Sequence, residues 1–280
     1  MSLAINRIEN LSSVEAELNY LAPTNKRPRT YAYDPPAGVP RTTVVNEPHK
    51  VAIHDARPVA STISLDDEGF GLLRHRSRVG GFDDEDEIRT VYYRETEDLL
   101  KDITGANRVF IFDHTVRRRI WGAEDRRGGV RQPVARVHVD HTEDSGPQRV
   151  RDLLPEEADD LLRGRVQIIN LWRPIHGPVQ DAPLAVCDAL SVKSSDLVAS
   201  ELVYQNRRGE TYSVIFDPAH RWFYVPEMTV DEALLLKCYD SKTDGRARFA
   251  PHSAFTDPNA PANAAPRESI ELRALVFHHA

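Results

Sequence analysis

Arg136-Val137-His138-Val139-Asp140-His141-Thr142 is the stretch on which the reading of this chain turns. Along an extended backbone, residues two apart share a face. His138 and Asp140 therefore point the same way, while Val137 and Val139 face the opposite layer. One short strand can thus deliver two metal ligands without a bend. The neighbouring triplet His141-Thr142-Glu143 falls on the other face of a continuing strand. Two imidazoles and a carboxylate on one side of a metal form the ligand set of a mononuclear non-haem iron site. The triplet alone carries little weight, because with 11 His in 280 residues about one His-x-Asp arises by chance at average residue frequencies.

Two residues compete for the third ligand position, His252 in Pro251-His252 and His220, and each also reads as an ordinary hydrogen-bonded histidine. Pro266-Arg267-Glu268-Ser269-Ile270 opens the last strand after the loop 257–265, and His252 lies one hairpin before it. His220 lies at least two strands earlier. The planar guanidinium of Arg267 suits a carboxylate, and Ser269, two residues on, shares its face and adds a hydroxyl. Metal, arginine and serine together make a site for a 2-oxo acid, chelated at one end and salt-bridged at the other. Cysteine-based zinc ligation is disfavoured, because neither cysteine lies near a histidine at ligand spacing. No glycine pattern for dinucleotide or phosphate binding occurs, nor a Gly-x-Ser-x-Gly elbow.

Working outward, the chain reads as one helical section followed by many short strands. Asp83 to Glu87 places negative charge at the start of a helix. Ile88, Val91, Tyr92, Leu99, Leu100 and Ile103 recur at helical spacing, and Gly105 ends it. Strands are expected at 108–113, 134–140, 166–175, 184–188, 197–205, 212–216, 222–225, 233–239, 248–250 and 269–277, with a short acidic helix at 155–163. Residues 22–60 are rich in proline and read as an ordered, extended arm. The expected fold is mainly β with flanking helices: a sandwich or jelly roll. One domain covering 1–280 is expected, with no internal repeat.

Composition narrows the partners. A net charge of −7 and a pI near 5.9 argue against a broad nucleic-acid surface. The cluster Arg117-Arg118-Arg119 with Arg126-Arg127 and Arg131 is a local exception. It reads either as a solvated loop offset by Glu124 and Asp125 or as a flap attracting an acidic substrate. Cys187 and Cys238 are expected to be buried free thiols, which suits a reducing compartment. No signal peptide is apparent, and no apolar run reaches the roughly 18 residues of a membrane span. A cytoplasmic protein is expected, and a homodimer stays open.

Six separated blocks together carry a resemblance: 137–140, Asn170-Leu171-Trp172-Arg173-Pro174-Ile175, 183–188, Lys237-Cys238-Tyr239-Asp240-Ser241, 251–255 and 266–271. In this order they resemble the microbial oxygenases that include the cephamycin methoxylation accessory protein, the fungal gibberellin desaturase and meroterpenoid endoperoxidases. The resemblance covers roughly residues 85–277. It implies a double-stranded β-helix, that is, a cupin-like barrel, with Fe(II) and 2-oxoglutarate as cofactors. The implied activity is oxidation of a C–H bond in a small secondary metabolite, with 2-oxoglutarate and O₂ converted to succinate and CO₂. His138 and Asp140 match the first two metal ligands, His252 the distal one, and Arg267 with Ser269 the oxo-acid clamp. Asn170 and Arg173 lie on opposite faces of their strand, and Asn170 is placed near the 2-oxoglutarate. Trp172 is assigned to the core. A non-catalytic scaffold or accessory partner of a biosynthetic enzyme is the alternative that the same resemblance offers.

Overall fold

The computed structural model of the protein describes residue 8 and residues 10–122 and 131–279. Its strands are β1 (Ser13–Leu21), β2 (Arg29–Tyr31), β3 (Asn46–Asp55), β4 (Phe70–Arg74), β5 (Arg108–Arg118), β6 (His138–Val139) and β7 (Val166–Pro174). They continue as β8 (Leu184–Cys187), β9 (Leu197–Val203), β10 (Arg208–Val214), β11 (Trp222–Tyr224), β12 (Glu232–Asp240), β13 (His252–Ala254) and β14 (Glu268–Phe277). Nine form one sheet in the order β1-β3-β11-β8-β13-β6-β10-β9-β2, and five form another in the order β4-β12-β7-β14-β5.

β7 shows how the layers arise. It is buried along its whole length between β12 and β14, so both faces must be covered. Ile169 and Leu171 pack with Tyr92 and Leu100 of the helical section. On the opposite face Trp172 meets Val186 and Phe223 of the larger sheet, and Ile168 meets Val139. The two sheets therefore pack face to face, with the helix outside the smaller one. This is the double-stranded β-helix expected from the sequence. The larger sheet curls until its β1 edge returns to the approach to β6, where Val137 N–H donates to Asn19 O at 2.8 Å.

The helix begins as its sequence dictates. The Asp84 carboxylate accepts from the N–H groups of Asp86 and Glu87, satisfying donors that have no partner within the helix. After a π-helical stretch at Ile88–Tyr92, the α-helix runs Tyr93–Thr104 and ends on Gly105 with φ of +67°. That left-handed conformation favours glycine.

Several expectations are corrected. β1 was not anticipated, although Val14, Ala16, Leu18 and Tyr20 are buried in strict alternation. Within residues 22–60 lie β2 and the ten-residue β3, whose lengths were not anticipated. Only His138 and Val139 of the expected strand 134–140 pair as a strand. Residues 248–250 are not a strand; pairing starts at His252. The helix Ser145–Leu153 was hidden by Gly146-Pro147, which reads as a turn. Proline is tolerated in a first helical turn, and Gly146 is required there because a Cβ would lie 2.5 Å from the Tyr239 ring.

Candidate metal centre

β6 and β13 are antiparallel neighbours, and His138 stands directly opposite His252 in their register. Facing residues of such a pair lie on one side of the sheet, so the two imidazoles come together, with ring centroids 4.4 Å apart. Asp140, two residues beyond His138, adds its carboxylate. His138 Nε2 lies 3.4 Å and His252 Nε2 4.0 Å from Asp140 Oδ1. One donor atom from each of the three residues falls within 4.8 Å of the others. Ligands about 2.1 Å from a metal at right angles are about 3 Å apart, so a small contraction closes this set around an ion.

Hydrogen bonds fix which atoms face the ion. His138 Nδ1 donates to Arg136 O at 2.9 Å, and His252 Nδ1 donates to Ala250 O at 3.1 Å. A carbonyl only accepts, so Nδ1 carries the proton on both rings and Nε2 offers its lone pair. Burial and the neighbouring His252 depress the His138 pKa to about 4, keeping it a neutral ligand near pH 7. Asp140 Oδ2 accepts from Asn170 Nδ2 at 2.8 Å and Arg273 Nε at 3.1 Å, leaving Oδ1 toward the histidines. Burial alone raises the pKa of this carboxyl, but Arg273 and the two histidines hold it well below the usual range. The donor set, two neutral imidazoles and an oriented carboxylate, fits Fe(II).

Arg267 and Ser269 lie beside this corner, both buried. Arg267 Nη1 donates to Ala182 O at 2.5 Å, and its guanidinium carbon lies 5.5 Å from the centre of the Trp172 ring. Among the described residues its Nε and the Ser269 Oγ have no hydrogen-bond partner. Burial, with Arg117 nearby, lowers the Arg267 pKa, and an incoming carboxylate would reverse that effect. Unsatisfied buried donors beside a metal triad are what an oxo-acid needs. Arg267, Trp172, His138, His252 and Leu184 share a cavity of about 20 Å³, room for one water-sized group. A five-carbon diacid therefore reaches Arg267 only when the surrounding side chains shift.

A second cavity, of about 600 Å³, opens on the other side of His138 and Asp140 and takes Thr30, Tyr31 and Ala32 from the arm. That volume lies in the range of small-molecule sites.

The remaining expected residues separate cleanly. Asn170 is at the carboxylate of Asp140, on the inner face of β7. Arg173 is on the outer face, 5.1 Å from the centre of the Tyr92 ring and bonded to His75 O at 3.0 Å. Trp172 belongs to the core between the sheets and also walls the smaller cavity. His220 is not at the metal corner. Trp222 Nε1 donates to Tyr20 Oη at 2.7 Å, Tyr20 in turn donates to His220 Nδ1 at 3.2 Å, and His220 Nε2 donates to Asp196 at 3.2 Å. Both its ring nitrogens are occupied. Of the arginine cluster, Arg118 pairs with Glu268 and Arg119 with Asp181; Arg126 and Arg127 lie outside the described residues. Cys187 and Cys238 are free and buried. No described helix is long and apolar enough to cross a membrane. Arg273, which completes the support of Asp140, was missed; its place two residues before Leu275 on a buried strand was the available signal.

Fold and donor set together define a non-haem iron oxygenase. Residues 18–277 match the family model described as oxidoreductase/YMDC permease-like domain. The hydroxylase/desaturase efuI of Hormonema carpetanum is 38% identical over 250 residues, covering 81% of this chain and 83% of that protein. The Fe(II)/2-oxoglutarate-dependent dioxygenase nvfI of Aspergillus novofumigatus is 32% identical, covering 94% and 96%. The solved structure of the iron and alpha-ketoglutarate-dependent endoperoxidase NvfI superposes with a TM-score of 0.86 at 29% identity, covering 96% of this chain and 99% of that one. The chain belongs to this fungal family of Fe(II)/2-oxoglutarate-dependent oxygenases, and Fe(II) and 2-oxoglutarate are its cofactors.

Proposed function

We propose that the protein oxidises an unactivated C–H bond of a small natural-product intermediate, by hydroxylation or desaturation, as a single cytoplasmic oxygenase domain. His138, Asp140 and His252 hold the iron in this reading, and Arg267 with Ser269 holds the far carboxylate of 2-oxoglutarate. The convergence of His138 Nε2, His252 Nε2 and Asp140 Oδ1 carries the proposal. Hydroxylation consumes substrate, 2-oxoglutarate and O₂ and yields alcohol, succinate and CO₂; desaturation yields alkene and water in place of the alcohol.

When bound, Fe(II) with 2-oxoglutarate supplies the oxidising power, and the protein supplies placement and exclusion of water. Arg136 O and Ala250 O keep Nε2 of each histidine directed at the ion. Asn170 and Arg273 hold Asp140 from behind, so that one carboxylate oxygen stays committed to it. Trp172 and Leu184 wall the cosubstrate side, and the larger cavity receives the substrate. All three ligand positions and the arginine are intact, which favours catalysis over a scaffold with no physical need for them.

The test is anaerobic titration with Fe(II) and 2-oxoglutarate, followed by the metal-to-ligand charge-transfer band. The wild type should develop the band and His138→Ala should not. A wild type without the band would refute the reading.

A further inference from the structure

We propose that the substrate carries an anionic group, a carboxylate on an otherwise apolar skeleton, and that Arg136 and Arg149 bind it in the larger cavity. The inference rests on the reading of that cavity as the substrate site. In a chain with 43 acidic and 36 basic residues, the cavity has the opposite balance: among its described lining residues are eight arginines and four carboxylates.

Those four carboxylates are already engaged. Asp140 faces the histidines and Arg273, and Asp113 also pairs with Arg273 at 3.3 Å. Glu210 is bonded to Thr142 and paired with Arg27. Asp152 accepts from Gln148 at 2.7 Å. Among the described residues, no carboxylate forms an ion pair with Arg136 or Arg149. Each also has another cation near it, Arg117 beside Arg136 and Arg207 beside Arg149, while the nearby Asp140, Asp113 and Asp152 stay short of an ion pair with either. Partly buried cations placed beside like charges need a counter-ion.

The geometry suits a planar anion. The Arg149 guanidinium carbon lies 4.7 Å from the centre of the Phe112 ring and that of Arg207 lies 3.8 Å from the centre of Tyr204. Stacking occupies the guanidinium face and leaves its in-plane N–H donors for an oxygen ligand. Phe112, Tyr31, Tyr204 and Val134 supply apolar wall between the arginines. Arg136 precedes His138 by two residues, roughly 6.5 Å of extended chain, so the anion is bound close to the iron corner.

The test uses 1-naphthoate as probe and 1-naphthamide as its neutral counterpart, with protein loaded anaerobically with Fe(II) and 2-oxoglutarate so that Arg267 is occupied. The acid should bind at least about tenfold more tightly than the amide, as loss of one charge-assisted hydrogen bond predicts. Arg136→Gln and Arg149→Gln should each remove about tenfold of the acid's affinity and leave the amide's unchanged. The charge-transfer band checks that each variant is folded and loaded, and because the two arginines lie on separate segments, either variant alone is a sufficient test. Equal affinity for acid and amide, no binding of either up to about 10 mM, or competition of the acid with 2-oxoglutarate would overturn the proposal. Absence of the band in the wild type would instead refute the iron site.

Discussion

The metal corner and the arginine end lie side by side between the same two sheets, yet they are finished to different degrees. At the metal corner the atoms turned away from the ion have partners in the protein: carbonyls for His138 and His252, Asn170 and Arg273 for Asp140. At the arginine end Arg267 Nε and Ser269 Oγ have none among the described residues. In the proposed function the protein alone aligns the iron ligands, whereas the cosubstrate itself completes the clamp.

The sharpest way to break this contrast is at the ligands. His252→Ala should abolish the charge-transfer band and succinate formation; retention of both would remove His252 from the centre. The next largest effects differ between the two ends. Asp140→Ala removes one of three carboxylates around Arg273, leaving Glu271 and Asp113, and should destabilise the metal-free protein by about 2 kcal/mol, the loss of a hydrogen bond to a charged group. Arg267→Met removes a buried charge that bonds Ala182 O but carries an orphaned Nε, so it should cost the metal-free protein less than Asp140→Ala does while weakening 2-oxoglutarate about 100-fold. Thermal unfolding without ligands, paired with cosubstrate titration, checks both, and equal destabilisation by the two variants would erase the distinction. Asn170→Ala should weaken iron about 10- to 100-fold, the usual loss when a group orienting a ligand is removed; the iron dissociation constant reads this out.

The smallest expected effect contrasts the structural histidine with the ligand histidines. Burial, opposed in part by Asp196, lowers the His220 pKa. The unfolded chain then takes up the proton first as pH falls below about 6.5. The contribution of neutral His220 is thus fully present above that pH and is lost as pH falls toward the folded value. His220→Asn should flatten the pH dependence of stability and leave the charge-transfer band intact, as paired denaturant titrations at pH 7 and pH 5.5 would show.

How much could be read in advance follows from how each residue is positioned. His138, Asp140, His252 and Arg267 were legible because strand periodicity and chain order bring them together. Chain order favoured His252 over His220, and the structure adds the reason: His252 stands opposite His138, while Tyr20 and Asp196 occupy the ring of His220. Arg273 was hidden in a strand that reads as core, because its charge is balanced by residues distant in sequence. β1 was overlooked despite the alternation of Val14, Ala16, Leu18 and Tyr20, because its partner β3 lies beyond a proline-rich stretch of chain. The metal approach 134–140 looked like a strand, but much of its backbone is satisfied elsewhere, by Asn19 and Ala254.

The arm's route has a consequence for how such enzymes can diversify. β1 and β3 form one edge of the larger sheet, and β2, between them in the chain, is added at the opposite edge next to β9. Thr30, Tyr31 and Arg41 on that excursion line the substrate cavity, while none of the residues at the metal corner belongs to it. Part of recognition is therefore written on a length of chain separate from the metal corner, while Arg136 and Arg149 of the same cavity lie outside that length. Grafting a relative's segment between residues 22 and 45 would recast which molecules are admitted without rewriting the chemistry performed on them.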